Sequence, residues 1–370
     1  MQLSKTERNH YIPQFYLKKF SNKDGALYSF DKKTSRTFCV KPINAGLEKD
    51  LYTVKNKITI NDISCMRKMC KIEDNDDFAN TVLPYLTAFL NDDLISVFSI
   101  FPAGKDFIAE FKNFSGLEDE EISYNQELLF CEYENQFKPS YDRILTFGKI
   151  EFFKNEDIPV FPYILRRVPF IAMDTIIKKM SLRNKDVPEL QLKAKELSTK
   201  MSGSLNTNEY YDFIHYITMQ NLRTPKFFNA FEPLRLDFKK YGINSDSLKF
   251  LFIHYQSAVI TNNIIVDGLH LILLKNSSEI PFITSDAPVI NPHAQTNSLM
   301  PPDIMEFYFP LSPKYAILIT KNCSDKGLKK DENLLEIWDN EKIKHWNNLM
   351  IKHAYRFLYS NDNSIFNVIM

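Results

Sequence analysis

The chain has 370 residues, of which 44% are hydrophobic, and its 46 basic residues balance its 46 acidic residues. That length exceeds a typical single domain, so one large domain or two interlocked domains are expected. The zero net charge excludes a global basic field for nucleic acid, although it is compatible with a local basic groove. Nine glycines are few for this length, and no glycine-rich phosphate loop is present.

The opening residues MQLSKTERNH contain charges and no apolar run, so we expect no secretory signal. No stretch reaches the ~20 apolar residues that a membrane-spanning helix needs, so no membrane association is expected. The five cysteines are scattered and lack the paired spacing of a structural zinc site. Together these features predict a cytoplasmic protein with reduced thiols.

The stretch from Arg8 to Phe20 (RNHYIPQFYLKKF) mixes aromatic with polar side chains. Ile12 precedes a proline, which disfavours helical backbone there, so the stretch is predicted to begin extended. From Pro13 onward the apolar spacing changes to that of a helical face. A strand that turns into a helix would place His10 and Gln14 near its corner.

Short strands are predicted for the residues that follow. Alternating apolar residues at Leu27–Phe30 and at Phe38–Val40 flank a polar DKKTS turn, a pattern that is typical of a hairpin. The apolar residues between Leu51 and Ile60 predict further short strands.

The middle of the chain is predicted to be helical, because its apolar residues recur at three- and four-residue spacing. The predicted helices are Phe78–Phe101, Asp119–Phe147, Ile158–Asn184, Asn206–Arg223 and Ser245–Thr261. Pro139 is expected to kink or restart the second of them. The Lys-rich segment Asp186–Gly203 is interpreted as a solvated helix or a mobile connector.

The last hundred residues return to a β pattern in HLILLKN, PFITSDAPVI and MEFYFPLSPKYAILIT, before a helix near Asp331–Tyr355 and a strand-like FLYS. This order predicts an α+β fold. We expect a single domain over residues 1–370, with an N-terminal β region 1–62, a helical region 63–268 and a C-terminal β/α region 269–370. Leu27–Phe30 and Phe282–Ile290 are predicted to share one sheet or two packed sheets.

His10 and Gln14 form the first candidate site. A histidine whose pKa lies near neutrality can act as a general base, a general acid or a metal ligand. The structural alternative is a core histidine that hydrogen-bonds to the backbone.

Two acidic residues, Glu48 and Glu134, form the second candidate site. Glu134 falls close to the apolar face of its predicted helix, where a buried carboxylate needs a partner or a metal. Two carboxylates with a histidine would suit magnesium or manganese. The alternative is that Glu134 caps a helix or pairs with an arginine.

Gln220 and Arg223 form the third candidate site, because their spacing of three places them on one helical face. The guanidinium of Arg223 could clamp a phosphate or stabilise a charged transition state. It could equally bond the last carbonyls of its own helix. His215 lies on another face of the same helix and is interpreted as incidental.

Ser285 and Asp286 form the fourth candidate site, at the end of a predicted strand and just before a proline. A hydroxyl and a carboxylate at a sheet edge are suited to ligand binding. The alternative is that Asp286 forms an Asx-turn with its own backbone.

Six motifs occur in the order HYIPQFYLKKF, LEKDLYT, YENQFKP, QNLRTP, TSDAPV and FPLSP. Together they resemble the signature of a bacterial family known as domain of unknown function 4238, and the resemblance spans nearly the whole chain. Some members resemble single-gene bacterial defence systems against phage. The resemblance therefore implies an anti-phage context, and it implies no particular mechanism.

The leading hypothesis is a defence effector that hydrolyses a phosphodiester, most plausibly in nucleic acid. Its predicted catalytic residues are His10, Glu134, Arg223 and Asp286; its predicted substrate-binding residues are Gln14, Gln220 and Ser285; and its candidate ligands for Mg or Mn are Glu48, Glu134 and Asp286. One alternative is a non-enzymatic sensor that binds a phage component, and another is an enzyme acting on a nucleotide or other small metabolite. Convergence of the catalytic candidates on an open pocket would favour an enzyme, whereas their burial or dispersal would favour a binding protein.

Overall fold

The computed structural model describes residues 8–49, 51, 57–91, 126–154, 160, 163–164, 208–231, 235–243, 245–295, 302–323 and 332–369. The strands are β1 (Arg8–His10), β2 (Leu27–Asp31), β3 (Arg36–Val40), β4 (Leu47–Lys49), β5 (His270–Asn276), β6 (Thr284–Ser285), β7 (Phe307–Pro310), β8 (Tyr315–Thr320), β9 (Leu334–Ile337) and β10 (Phe357–Ser360). The α-helices are α1 (Gln14–Leu17), α2 (Ile60–Cys70), α3 (Asp77–Leu90), α4 (Gln126–Phe147), α5 (Glu209–Leu222), α6 (Pro225–Ala230), α7 (Arg235–Lys240), α8 (Ser245–Val266), α9 (Asn340–His353) and α10 (Ile365–Ile369). The fold is α+β, as predicted.

The described strands form three sheets, with strand orders β1–β4, β3–β2–β10–β6 and β7–β8–β5–β9. In the second sheet β10 pairs with β2 on one side and with β6 on the other, so strands from both ends of the chain lie side by side. The prediction that Leu27–Phe30 and Phe282–Ile290 share one sheet or packed sheets is confirmed. Ile290 extends this link, because it bridges to Tyr308 in the third sheet.

The N-terminal arm, residues 8–13, begins with β1, bends at Tyr11 and Ile12 and leads into α1 at Gln14, which confirms the predicted corner. Two backbone N–H groups of the arm, those of Tyr11 and Ile12, donate to the carbonyl of Gly46 at 2.9 and 3.2 Å. Gly46 has a φ of +60°, and a Cβ on it would lie 2.8 Å from the Cβ of Ile12. The close approach of arm and turn therefore requires glycine at this position.

The strand predicted around Ile58 and Ile60 is wrong, because Ile58 is not in a strand and α2 begins at Ile60. The hydroxyl of Thr59 accepts from the N–H of Asp62, and the carboxylate of Asp62 accepts from the N–H of Thr59 at 2.7 Å. This capping box satisfies the first N–H groups of the helix and overrides the apolar alternation that suggested a strand. Residues 52–56, also part of that prediction, lie outside the described residues.

Four of the predicted central helices are found where the structure describes them. The helix α4 continues from Gln126 to Phe147 through Pro139, so the predicted restart does not occur. The helix α5 begins after Asn208, whose side chain accepts from the N–H of Tyr211 at 3.2 Å, and it ends before Arg223. Outside the described residues lie 92–101 of the Phe78–Phe101 prediction, 119–125 of Asp119–Phe147, most of Ile158–Asn184, and all of Asp186–Gly203.

The helix predicted for Asp331–Tyr355 is shorter in the structure, because β9 occupies its first part. This strand pairs in parallel with β5, with Leu334 opposite Leu273. The helix α9 begins only after Asp339, whose carboxylate accepts from the N–H of Glu341 at 2.9 Å. Strand pairing across the sheet therefore decides the structure of these residues, and helical periodicity does not.

The main apolar cluster joins the N-terminal arm, the central helices and the C-terminal strands, with Ile12, Phe137, Phe213 and Phe309 among its buried members. The hydroxyl of Tyr16 in α1 extends this link, because it lies 2.6 Å from the hydroxyl of Thr284 and donates to the carbonyl of Pro310 at 2.7 Å. Among the described helices, none combines the length and the apolar character that crossing a bilayer requires.

Candidate functional site

The backbone carbonyl of Tyr11 joins the N-terminal arm to the end of α5. The amide of Gln220 donates to it at 2.7 Å, and the guanidinium of Arg223 donates to it at 3.3 Å. Both side chains are 1% exposed, so the end of α5 is fastened to the arm inside the protein. We call this arrangement the Tyr11 node, comprising Tyr11 with His10, Gln14, Glu134, Gln220 and Arg223.

Arg223 is also held by α4. Its guanidinium donates to the carboxylate of Glu134 at 2.5 Å and lies over the ring of Phe130, 4.8 Å from the centroid. Glu134 and Phe130 are one helical turn apart, so α4 presents a carboxylate and an aromatic face to one buried cation. The guanidinium is therefore engaged with protein groups on the arm and on α4.

His10 and Gln14 are the partly exposed members of the Tyr11 node that lie on the arm itself. The Nε2 of His10 lies 3.2 Å from the amide nitrogen of Gln14, across the corner between β1 and α1. This contact restrains the orientation of the imidazole.

The three candidate metal ligands do not form a metal site. Glu48 lies on the exposed side of β4 opposite Asn9, and partial burial raises its pKa while Lys249 opposes that shift. Glu134 is paired with Arg223, and Asp286 binds backbone N–H groups elsewhere. In the part of the chain that the structure describes, no three His, Cys, Asp or Glu side chains are grouped to hold a metal ion. The donor set therefore does not fit Mg or Mn.

Ser285 and Asp286 lie at the edge strand β6, and both are buried. The hydroxyl of Ser285 donates to the carbonyl of Ala287 at 3.0 Å and accepts from its N–H at 3.1 Å. The carboxylate of Asp286 accepts from three consecutive N–H groups, those of Tyr355, Arg356 and Phe357, at 2.6–2.8 Å. These contacts of Asp286 differ from those of the predicted Asx-turn, and the burial of both side chains differs from an accessible ligand site. The catalytic and binding roles assigned to Ser285 and Asp286 stay predictions that these contacts do not support.

Two histidines of the helical region have structural roles that the sequence did not indicate. His215 was interpreted as incidental, but its Nε2 lies 3.3 Å from the hydroxyl of Ser257 in α8 and its ring meets Tyr133 edge-on at 4.9 Å. The ring of His254 is stacked on Phe130 at 5.7 Å. Burial lowers the pKa of His215 to about 3, with a smaller effect of His254, and it lowers the pKa of His254 to about 4.

The comparison with known protein families matches residues 8–161 and 178–364 to the family described as "Protein of unknown function (DUF4238)". Searches of curated proteins and of solved structures found no match. The matched ranges contain every residue of the Tyr11 node, together with Ser285 and Asp286. Because these ranges cover well over half of its length, the chain belongs to this family of proteins of unknown function.

Proposed function

We propose that the protein is a cytoplasmic anti-phage defence effector that hydrolyses phosphodiester bonds of nucleic acid, with His10 as its acid–base group. The observation that supports this proposal is the convergence in the Tyr11 node. Gln220 and Arg223 bond to the carbonyl of Tyr11, Glu134 holds Arg223, and the neighbouring His10 contacts Gln14. Within that set, His10 is a partly exposed imidazole whose ring contacts the amide of Gln14.

The chemistry assigned to the node follows from what each side chain can do. An imidazole can accept the proton of an attacking water and then donate it to the leaving oxygen as the P–O bond breaks. Gln14 orients the ring. Gln220 and Arg223 act as positioning residues, because they bond to the carbonyl of the adjacent residue, Tyr11. Glu134 supports them by accepting from the guanidinium of Arg223.

The test is to incubate the purified protein with RNA, DNA and nucleotides, with and without divalent metal ions. We expect a cleavage product from wild type and a loss of about a hundredfold or more in His10→Ala, the scale of acid–base catalysis. His345→Ala is the matched control, since His345 is an exposed histidine on α9. A product from nucleotides alone would favour the metabolite-directed enzyme. If no substrate gives a product that depends on His10, the proposal is wrong.

A second candidate, a non-enzymatic protein that binds a phage component, is favoured by the burial of Gln220, Arg223 and Asp286. Each of these side chains is 1% exposed and bonded within the fold, so none reaches a substrate. If His10 is likewise structural, His10→Ala should cost ~1–3 kcal/mol of unfolding free energy, because a hydrogen-bond partner is lost. If His10 is catalytic, the variant should melt close to wild type while its activity is lost. Thermal melting beside the activity assay separates the two.

A further inference from the structure

The strand β3 lies at one edge of the sheet β3–β2–β10–β6. Within the part of the chain that the structure describes, β3 makes its backbone hydrogen bonds with β2 alone. Arg36 to Cys39 are exposed and Val40 is half-buried, so the outward backbone groups of this strand face solvent. An edge of this kind is a template for one more strand.

Two other sheet edges offer less room for an added strand. The outer side of β7 is occupied by Ile290, which exchanges two backbone hydrogen bonds with Tyr308 at 2.9 and 3.0 Å. The strand β6 is only two residues long, and both of its residues are buried. In contrast, β3 is five residues long and carries a side chain suited to a contact, because Phe38 is 44% exposed.

The charges around β3 indicate what kind of strand would add to it. Residues 32–47 contain four basic residues and no acidic residue, in a chain whose net charge is zero. Three of the four, Lys33, Arg36 and Lys41, are exposed and lie at the two ends of the strand. The fourth, Lys32, is turned inward and donates to the carbonyls of Ile351 and Ala354 at 2.7 and 2.8 Å.

This distribution disfavours pairing between two copies of β3. An antiparallel pair centred on Phe38 would bring Lys33, Arg36 and Lys41 of one copy close to the same three cations of the other copy. Like charges brought together across a strand pair are destabilising, and edge lysines commonly block such pairing. An acidic strand meets the same cations favourably.

We propose that β3 is a docking edge for an extended acidic peptide segment of a partner protein, which adds to the sheet as a further strand. Backbone hydrogen bonds supply the affinity, and side chains that alternate along the strand supply the selectivity. Phe38 and Val40 lie on one face of the sheet, and Phe38 contacts Phe357 edge-on with ring centroids 6.3 Å apart. An apolar residue of the peptide would pack on this aromatic face, and its acidic residues would approach Lys33, Arg36 and Lys41.

The test uses the full chain and a fluorescently labelled ten-residue probe peptide that has glutamates at both ends and valine and threonine between them. Two comparison peptides have the same length: one replaces each glutamate by lysine, and the other is N-methylated at alternate residues. We expect the probe to bind at least about tenfold more tightly than either, a difference of ~1.4 kcal/mol. Hydrogen exchange should slow at Arg36–Val40 when the probe is bound.

The variant Arg36→Glu/Lys41→Glu should weaken probe binding by a similar factor. The matched control is Lys138→Glu/Lys149→Glu, which changes the net charge equally at side chains that are 47% and 57% exposed elsewhere on the surface. Should the first variant fail to fold, the comparison of the three peptides on wild type remains decisive. Equal binding of all three peptides, or no binding of the probe, overturns the proposal. Concentration-dependent dimerisation that protects β3 overturns it in favour of self-pairing.

Discussion

At the scale of single residues, the buried carboxylate of Asp286 fixes the start of β10. It accepts hydrogen bonds from three consecutive backbone N–H groups where the chain leaves α9 and enters the strand. Burial still raises the pKa of Asp286 from 3.8 to about 6, because the loss of hydration outweighs the backbone hydrogen bonds and the nearby charge of Lys32. The ionised form of this residue is therefore disfavoured in the folded state.

This shift predicts a pH dependence for the variant Asp286→Asn. The folded state holds the proton of Asp286 more tightly than the unfolded chain does. The resulting stabilisation is present below pH ~4 and is lost as pH rises to ~6, which lowers the free energy of unfolding by up to ~3 kcal/mol. Asparagine lacks this titration, so the stability of wild type minus that of the variant should fall across that window.

Urea unfolding at several pH values from 4 to 7 measures this difference. Asp267→Asn, at an exposed aspartate, is the control and should follow wild type throughout. Parallel pH profiles for Asp286→Asn and wild type would contradict the account of Asp286.

At the scale of elements, α5 and α8 pack through a line of polar side chains inside an apolar core. The hydroxyls of Thr218 and Thr261 lie 2.8 Å apart, and His215 contacts Ser257 along the same interface. Buried polar groups that are bonded in this way specify the register of the two helices. Burial within this interface keeps the rings of His215 and His254 neutral.

These two histidines predict an acid-labile helix pair. Their folded-state pKa values of about 3 and about 4 lie below the usual 6.5. Their contribution to the free energy of unfolding is therefore complete above pH 6.5 and is lost as pH falls. Each can remove up to ~1.4 kcal/mol of unfolding free energy per pH unit. The pH dependence of stability is therefore opposite to that of Asp286, because these histidines lose their contribution as pH falls and Asp286 loses its contribution as pH rises.

The variant His215→Gln/His254→Gln should therefore lose less stability than wild type between pH 6.5 and 5, whatever its stability at pH 7. His345→Gln, at an exposed histidine on α9, is the control. Thermal melting across this range measures the slope. An unchanged slope in the double variant would refute the proposed cause.

At the scale of the whole molecule, the pair Glu134–Arg223 joins regions that are far apart in sequence. Glu134 lies on α4, Arg223 directly follows α5, and the carbonyl of Tyr11 belongs to the N-terminal arm. The main apolar cluster joins the same three regions with the C-terminal strands. Loss of this pair should therefore weaken the connection between the arm and the helices.

A double-mutant cycle on this pair tests that role. Glu134→Gln or Arg223→Met alone should cost ~3–5 kcal/mol, because one charge stays buried beside a neutral group. Glu134→Gln with Arg223→Met should cost clearly less than the sum of the two. Urea unfolding measures each free energy, and strictly additive costs would show that the two residues do not act as a pair.

The control cycle uses the exposed pair Lys138–Asp142, which lies on the same helix and has side chains that are 47% and 40% exposed. Its coupling should be only ~0.3–0.5 kcal/mol, because solvent screens the two charges. A coupling as large as that of Glu134–Arg223 would show that burial is not the reason for the difference.

The sequence by itself determined those features that depend on neighbouring residues. The alternation in β2 and β3 predicted the hairpin, helical spacing predicted α4 and α8, and Pro13 marked the corner before α1. The motifs distributed along the chain were sufficient to indicate the family. Each of these signals acts over a few residues, so no tertiary contact is needed to interpret it.

Only the tertiary structure decided which distant groups meet. Pairing with β5 made Leu334–Ile337 a strand, and bonds to residues about seventy positions away gave Asp286 a structural role. The polar residues of the Tyr11 node could be selected from the sequence, but their partners and their burial could not. The reason is physical: periodicity and capping are local, whereas the partner of a buried polar group is set by how the whole chain packs.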